Sequence, residues 1–123
     1  METKLLLALF FCHFLADYTH LSTAWMLIAK RLGKPLLPIL AHAMIHSVLM
    51  GIVLFIYGVT RETYGILMLL QISSHFLIDV WKGRMNGWFP KLQSPANKWH
   101  WIVFGFDQYL HAVIIIIMVN YIC

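Results

Sequence analysis

Residues 36–57 read LLPILAHAMIHSVLMGIVLFIY, a run without a single Asp, Glu, Lys or Arg. As a helix rising 1.5 Å per residue it is long enough to cross a hydrocarbon core of about 30 Å. Lys34-Pro35 and Pro38 mark its start, because proline suits a first helical turn and cannot donate inside a helix. The apolar run is broken mainly by His42 and His46, which are four residues apart and therefore share one helix face. This stretch sets the fold: a membrane-spanning helix with a polar ledge turned toward other helices.

Working outward, three further spans follow the same logic. The third runs from about Glu62 to Trp81 after a tight connection, Gly58 to Thr63. The fourth runs from about Trp101 to the C-terminus, with Ile114 to Ile117 as its most apolar part. Asn86 to Lys98 contains Gly87, Pro90, Pro95 and Asn97 and reads as a loop. The first span starts near Thr3, has its purely apolar part at Leu5 to Phe11, and either ends near Tyr18 or continues to Ala29. Thr19 to Lys34 mixes Leu, Trp, Met and Ile with Ser, Thr, Lys and Arg, as an interfacial amphipathic helix does. Lys4 before Leu5–Phe11 has the look of a leader, but no small-residue cleavage site follows, so the segment is expected to be retained.

Composition agrees. Hydrophobic residues make up 61% of the 123 residues and charged residues 11%, less than half the roughly one quarter of a soluble domain. The five Trp and five Tyr suit membrane interfaces, and Trp25, Trp88, Trp99 and Trp101 read as anchors there. The net charge of +4 comes from Lys and Arg outside or at the ends of the apolar runs. It therefore encodes topology, and a nucleic-acid partner is not expected, since no basic face on a soluble element is visible. Two cysteines, Cys12 in an apolar run and Cys123 at the end, form no metal or disulfide framework.

The expected fold class is all-α: a single domain, residues 1–123, forming a polytopic four-helix membrane bundle with an interfacial amphipathic segment. The loops after the first and third spans hold seven basic residues, Lys30, Arg31, Lys34, Lys82, Arg84, Lys91 and Lys98, against two, Lys4 and Arg61, on the other side. The positive-inside rule then puts the seven-charge side in the cytoplasm and both termini outside. Labelling a cysteine placed in the 58–63 connection from either side checks this; reaction from the cytoplasmic side reverses the orientation.

The polar residues within the spans are ordered. His13 and Asp17, His42 and His46, His75 and Asp79, and Asp107 and His111 are four pairs, each at i, i+4. In alternating antiparallel spans all four pairs fall in the same half of the membrane. His13-Phe-Leu-Ala-Asp17 also matches His75-Phe-Leu-Ile-Asp79, and His42-Ala-Met-Ile-His46 matches Asp107-Gln-Tyr-Leu-His111. The chain therefore reads as two parallel helix-hairpin repeats, about 1–60 and 61–123, around a pseudo-twofold axis along the membrane normal. Three buried Asp cost about 2.5–3.5 kcal/mol each on insertion scales unless neutralised. Five His and three Asp match the ligand set of zinc, iron or manganese, and helical bundles build such sites from paired side chains on facing helices. The expected site is one or two divalent ions held by His13, Asp17, His42, His46, His75, Asp79, Asp107 and His111, with Asp107 as the carboxylate most readily spared for general-base work. The competing readings are a hydrogen-bonded proton-relay core and, less well matched, haem, whose two faces cannot both be reached by His on one face of one helix.

Other polar residues carry weaker signals. His20 and His100 read as interfacial. Gln108 and Ser74 adjoin the candidate ligands and either support them or mediate helix contacts. The cytoplasmic Lys and Arg are topology signals that could also receive phosphate.

These residues carry a resemblance. The two His-Phe-Leu-x-Asp motifs at 13–17 and 75–79, Trp25-Met26, Lys30, the His42 and His46 pair, Lys82, and Asp107-Gln-Tyr-Leu-His111 resemble domain-of-unknown-function family 3307, small membrane proteins of bacteria and phages. The match spans essentially the whole chain, with one departure at Thr19-His20-Leu21-Ser22, where the family has Leu-Gln. The resemblance implies a bacterial inner membrane, or a host membrane for a phage protein, and no established activity. The His/Asp pairs near helix ends are also similar to predicted membrane-bound metal-dependent hydrolases, which implies a hydrolase at the cytoplasmic face acting on a phosphorylated or lipid-linked substrate. The alternative is non-enzymatic: a metal-stabilised interaction protein, or an ion or proton conductor using the same cluster. Beyond the lipid bilayer, association with further copies of the chain stays open.

Overall fold

A computed structural model describes residues 2–19 and 21–123, so His20 lies outside the described residues. The described residues form helices joined by short connections, with no strand. The helices are α1 Glu2–Tyr18, α2 Ala24–Leu32, α3 Leu36–Tyr57, α4 Arg61–Trp88 and α5 Lys98–Ile122, with a 3-10 turn at Pro90–Gln93. Three of them, α3, α4 and α5, are long and apolar enough to cross a membrane. The expected first span, α1, has 17 residues, about 25 Å at helical rise and the lower limit for a crossing.

The local chemistry of each boundary is legible. α1 ends at Tyr18 and α2 begins at Ala24, so the first span does not run on to Ala29. Thr23 then caps α2, its hydroxyl accepting from the Met26 N–H. Thr60 caps α4 through the Thr63 N–H at 3.2 Å, and Asn97 caps α5 through the Trp99 N–H at 2.9 Å. Each side-chain oxygen satisfies a backbone donor that the first turn leaves unpaired.

The loop expected from Asn86 to Lys98 is corrected. α4 runs on through Gly87 to Trp88, and Pro90–Gln93 forms a turn of its own. The cause is tertiary. At 28 residues, about 42 Å, α4 outruns the hydrocarbon core, and its protruding end packs on α2. Gly83 makes that approach close: a Cβ there would collide with the backbone of Lys30 and Gly33. Gly33 itself caps α2 in the left-handed region (φ 71°), which L side chains rarely adopt. Asn86 Nδ2 donates to the Arg31 carbonyl at 3.0 Å and Arg84 Nε to that of Gly33 at 3.1 Å.

The four long helices form a ring in which α1 packs against α3 and α5, and α4 against α3 and α5. α1 and α4 thus face each other across the diagonal, as do α3 and α5. One half of the bundle interior is apolar, built from Leu5, Leu9, Met50, Leu54, Ile115 and Met118 with their neighbours. The other half holds the polar ledges, and α2 lies across that end against α3 and α4.

Candidate metal centre

Helical periodicity turns each i, i+4 pair inward, and the ring of helices brings all four pairs together. His42 and His46 are wholly buried, and His13, His75, Asp79, Asp107 and His111 are buried as well. Asp17, at the last turn of α1, and His13 are slightly accessible, with side chains 7% and 10% exposed.

Two carboxylates organise the centre. Asp17 Oδ1 lies 2.8 Å from His42 Nε2 and 3.0 Å from His46 Nε2, and Oδ2 lies 3.1 Å from His13 Nε2 on its own helix. Asp79 Oδ2 lies 3.1 Å from His75 Nε2 on its own helix, and Oδ1 lies 3.4 Å from His111 Nε2 on α5. Asp17 thus joins the His of its own helix to both members of the pair on the following long helix, whereas Asp79 joins its own to one, His111, and lies 3.9 Å from His42 Nε2. Asp107 Oδ1 lies 3.4 Å from His111 Nε2.

Within this cluster, one ligand atom from each of Asp17, His42, His46 and His75 lies within 4.8 Å of the others, and the same holds for His75, Asp79 and His111. Each group could hold a metal ion, and His75 belongs to both. Its ring sits 3.8 Å from that of His46 and 4.2 Å from that of His111, centroid to centroid. His13 and Asp107 border these groups without joining either.

The donor atoms fit a cation. His42 Nε2 and His46 Nε2 lie 3.2 Å apart with both directed at one oxygen of Asp17. His75 Nε2 and Asp79 Oδ2 are buried without a hydrogen-bond partner, although only 3.1 Å apart: the separation is short enough but the alignment is not. An unsatisfied buried polar atom costs about 1–3 kcal/mol, and a divalent ion among these lone pairs would offset that cost.

Sequence reasoning underrated two lysines. Lys30 Nζ lies 3.5 Å from Asp17 Oδ1 and 3.2 Å from His42 Nε2, and Lys82 Nζ lies 3.7 Å from Asp107 Oδ2. Burial works against the Lys30 ammonium, yet Asp79, Asp17 and Asp107 together raise its pKa above the ordinary lysine value. Gln71 was missed outright. It is buried, with Nε2 3.5 Å from His75 Nδ1, and its place four residues before His75 was the available signal. Gln108 spans the cluster: Oε1 accepts from His13 Nε2 at 3.0 Å and Nε2 donates to Asp107 Oδ2 at 2.9 Å. Ser74 bonds only the Gln71 carbonyl of its own helix, and His100 Nδ1 donates to the Leu92 carbonyl at 2.6 Å, fixing the 3-10 turn.

A cavity of about 330 Å³ opens beside the centre. Asp17, Asp79 and Asp107 line its floor, and Lys30, Arg31 and Lys82 also face it.

The fold and the cluster define an all-helical membrane protein with buried His/Asp groups able to hold a metal ion. Residues 5–123 match the profile of the family described as "Protein of unknown function (DUF3307)", and the chain belongs to that family. Comparison with curated proteins and with solved structures gives no match. The similarity to membrane-bound metal-dependent hydrolases finds no support in these comparisons.

Proposed function

We propose that the protein carries a resident divalent-metal centre and uses it as a hydrolase whose substrate enters from the basic, cytoplasmic end of the bundle. The observation that carries this reading is the cavity. It leads to buried, unpartnered donor atoms and leaves one carboxylate, Asp107, outside both metal-sized groups.

The roles divide by position. Asp17, His42, His46 and His75 would hold one ion, and Asp79 and His111 would hold a second or share His75 when the first position is empty, because one imidazole nitrogen serves one ion. A bound divalent ion lowers the pKa of a coordinated water and polarises the scissile group. The chain itself supplies the rest. The Asp107 carboxylate lines the cavity, with the Gln108 amide donating to its Oδ2, and would take the proton as general base. Gln108 holds His13 and Asp107 in one network. Gln71 lies 3.5 Å from His75 Nδ1; with its amide turned so that Oε1 accepts the Nδ1–H, it would leave Nε2 of that ring unprotonated for an ion, as partners of metal-bound His do. Zinc, iron and manganese all match this mixed donor set.

The conductor alternative needs a polar route through the bundle. The opposite half is filled by Leu9, Met50, Leu54, Leu67, Ile115 and Met118, each almost wholly buried, and this favours a one-sided site.

Elemental analysis of the purified protein tests the centre. One or two equivalents of a transition metal are expected, with a melting temperature that rises when metal is restored to stripped protein. A metal-free protein with the same melting temperature with and without zinc, iron or manganese overturns it. Asp107→Asn separates ligand from base: metal content is expected to stay, while metal-dependent hydrolysis of a chromogenic phosphate ester falls about 100-fold or more. Loss of metal in this variant would instead make Asp107 a ligand.

A further inference from the structure

Lys30 and Lys82 occupy a position that topology does not require. A lysine serving only the positive-inside rule can point into the headgroups, where its charge is solvated. Instead both ammonium groups turn inward onto carboxylates of the centre, at 3.5 and 3.7 Å. With Arg31 they bring three positive charges to a cavity whose floor holds three carboxylates. Without metal the charges cancel. Loading even one divalent ion leaves an excess of two positive charges beside an open cavity, and frees Lys30 from Asp17, the carboxylate the metal would take over. Two positive charges plus forked donors match a phosphate monoester dianion.

The lip of the cavity suggests what carries the phosphate. Leu27 and Tyr18 are exposed there, 48% and 54%, and Phe104 lies under Lys82, whose Nζ is 4.8 Å from the ring centroid. Tyr18 ends α1 and Leu27 lies on α2, which crosses this end of the bundle as an interfacial amphipathic helix would, with its apolar side toward acyl chains.

We propose that the cavity seats the phosphate-monoester headgroup of an anionic lipid between Lys30, Arg31 and Lys82, and that seating is coupled to metal loading of the adjacent centre. The proposal rests on the metal centre described above and names the substrate class for it. By linkage the coupling is reciprocal: lipid must tighten metal binding by the factor that metal tightens lipid binding.

The test titrates phosphatidic acid, phosphatidylcholine and inorganic phosphate into detergent-solubilised full-length protein, metal-loaded and metal-stripped, with metal content measured in parallel. Phosphatidic acid is expected to bind the loaded form at least about tenfold tighter than the stripped form and tighter than either other probe. Arg31→Gln and Lys82→Gln are each expected to weaken it about tenfold, the scale of one charge-assisted hydrogen bond, with helicity and metal content unchanged. Arg31 is exposed, so its replacement leaves the packing intact. Lys82→Arg is expected to restore binding. Equal affinity for loaded and stripped protein, or unchanged affinity in both Gln variants, overturns the proposal while leaving the metal centre standing. Inorganic phosphate binding as tightly as phosphatidic acid overturns the lipid assignment, and equal binding of phosphatidylcholine overturns the monoester. A wild-type protein that takes up no metal under any loading overturns the centre and the proposal together.

Discussion

Asp17→Ala is expected to strip the protein of metal and lower its melting temperature by about 10–20 °C. The carboxylate meets three imidazoles within 3.1 Å and the Lys30 ammonium at 3.5 Å. Removing it leaves a buried ammonium and several imidazole nitrogens without their anionic partner. Breaking a buried pair in this way costs about 3–5 kcal/mol, and a domain of this size loses a few degrees of melting temperature per kcal/mol. Asp17→Asn separates the two effects: the amide still accepts a hydrogen bond, so part of the stability should return, but without its charge the site should still lose metal. Thermal melts and elemental analysis of both variants decide the matter. Wild-type values for Asp17→Ala would mean that the ledges are independent structural pairs.

His75→Ala is expected to have the largest effect on metal binding of any single histidine replacement. His75 is the one residue shared by the two metal-sized groups. It is 1% exposed, and its ring stands between those of His46 and His111. Its loss should weaken both positions by more than the roughly 10–100-fold that loss of a supporting residue costs. His13 gives the internal comparison. It touches Asp17 and Gln108 but lies outside both groups, so His13→Ala should weaken metal binding by no more than about tenfold. Metal titrations of the two variants, measured side by side, test the order. If His75→Ala retains two ions while His13→Ala loses them, the ligand sets are misassigned.

The parts of the centre that were legible in the sequence share one property: they follow from helical periodicity within a single span. His13 with Asp17, His42 with His46, His75 with Asp79 and Asp107 with His111 could each be paired from spacing alone. Their convergence followed from antiparallel spans with the pairs at similar depth. Gln71 was readable by the same rule and was missed because a glutamine in a span is an ordinary helix-contact residue. Lys30 and Lys82 were not readable in this way. Both lie near span ends, where basic residues already have a topological explanation, and only the placement of α2 against α3 and α4 turns Lys30 toward Asp17.

The same division runs through the fold. Hydropathy determined the long apolar helices, their antiparallel order and the depth of the polar pairs, because a bilayer leaves a long uncharged run few alternatives to a helix. Tertiary structure decided what local signals left open. α4 continues through Gly87 because α2 packs on its protruding end, with Gly83 and Gly33 allowing the backbones to touch. The sorting of six of the eight polar side chains into two groups sharing His75, with His13 and Asp107 left outside, is likewise a matter of distances between helices. Spacing specifies which face a side chain occupies, and only the packing of one helix against another sets how far its atoms lie from those on the next.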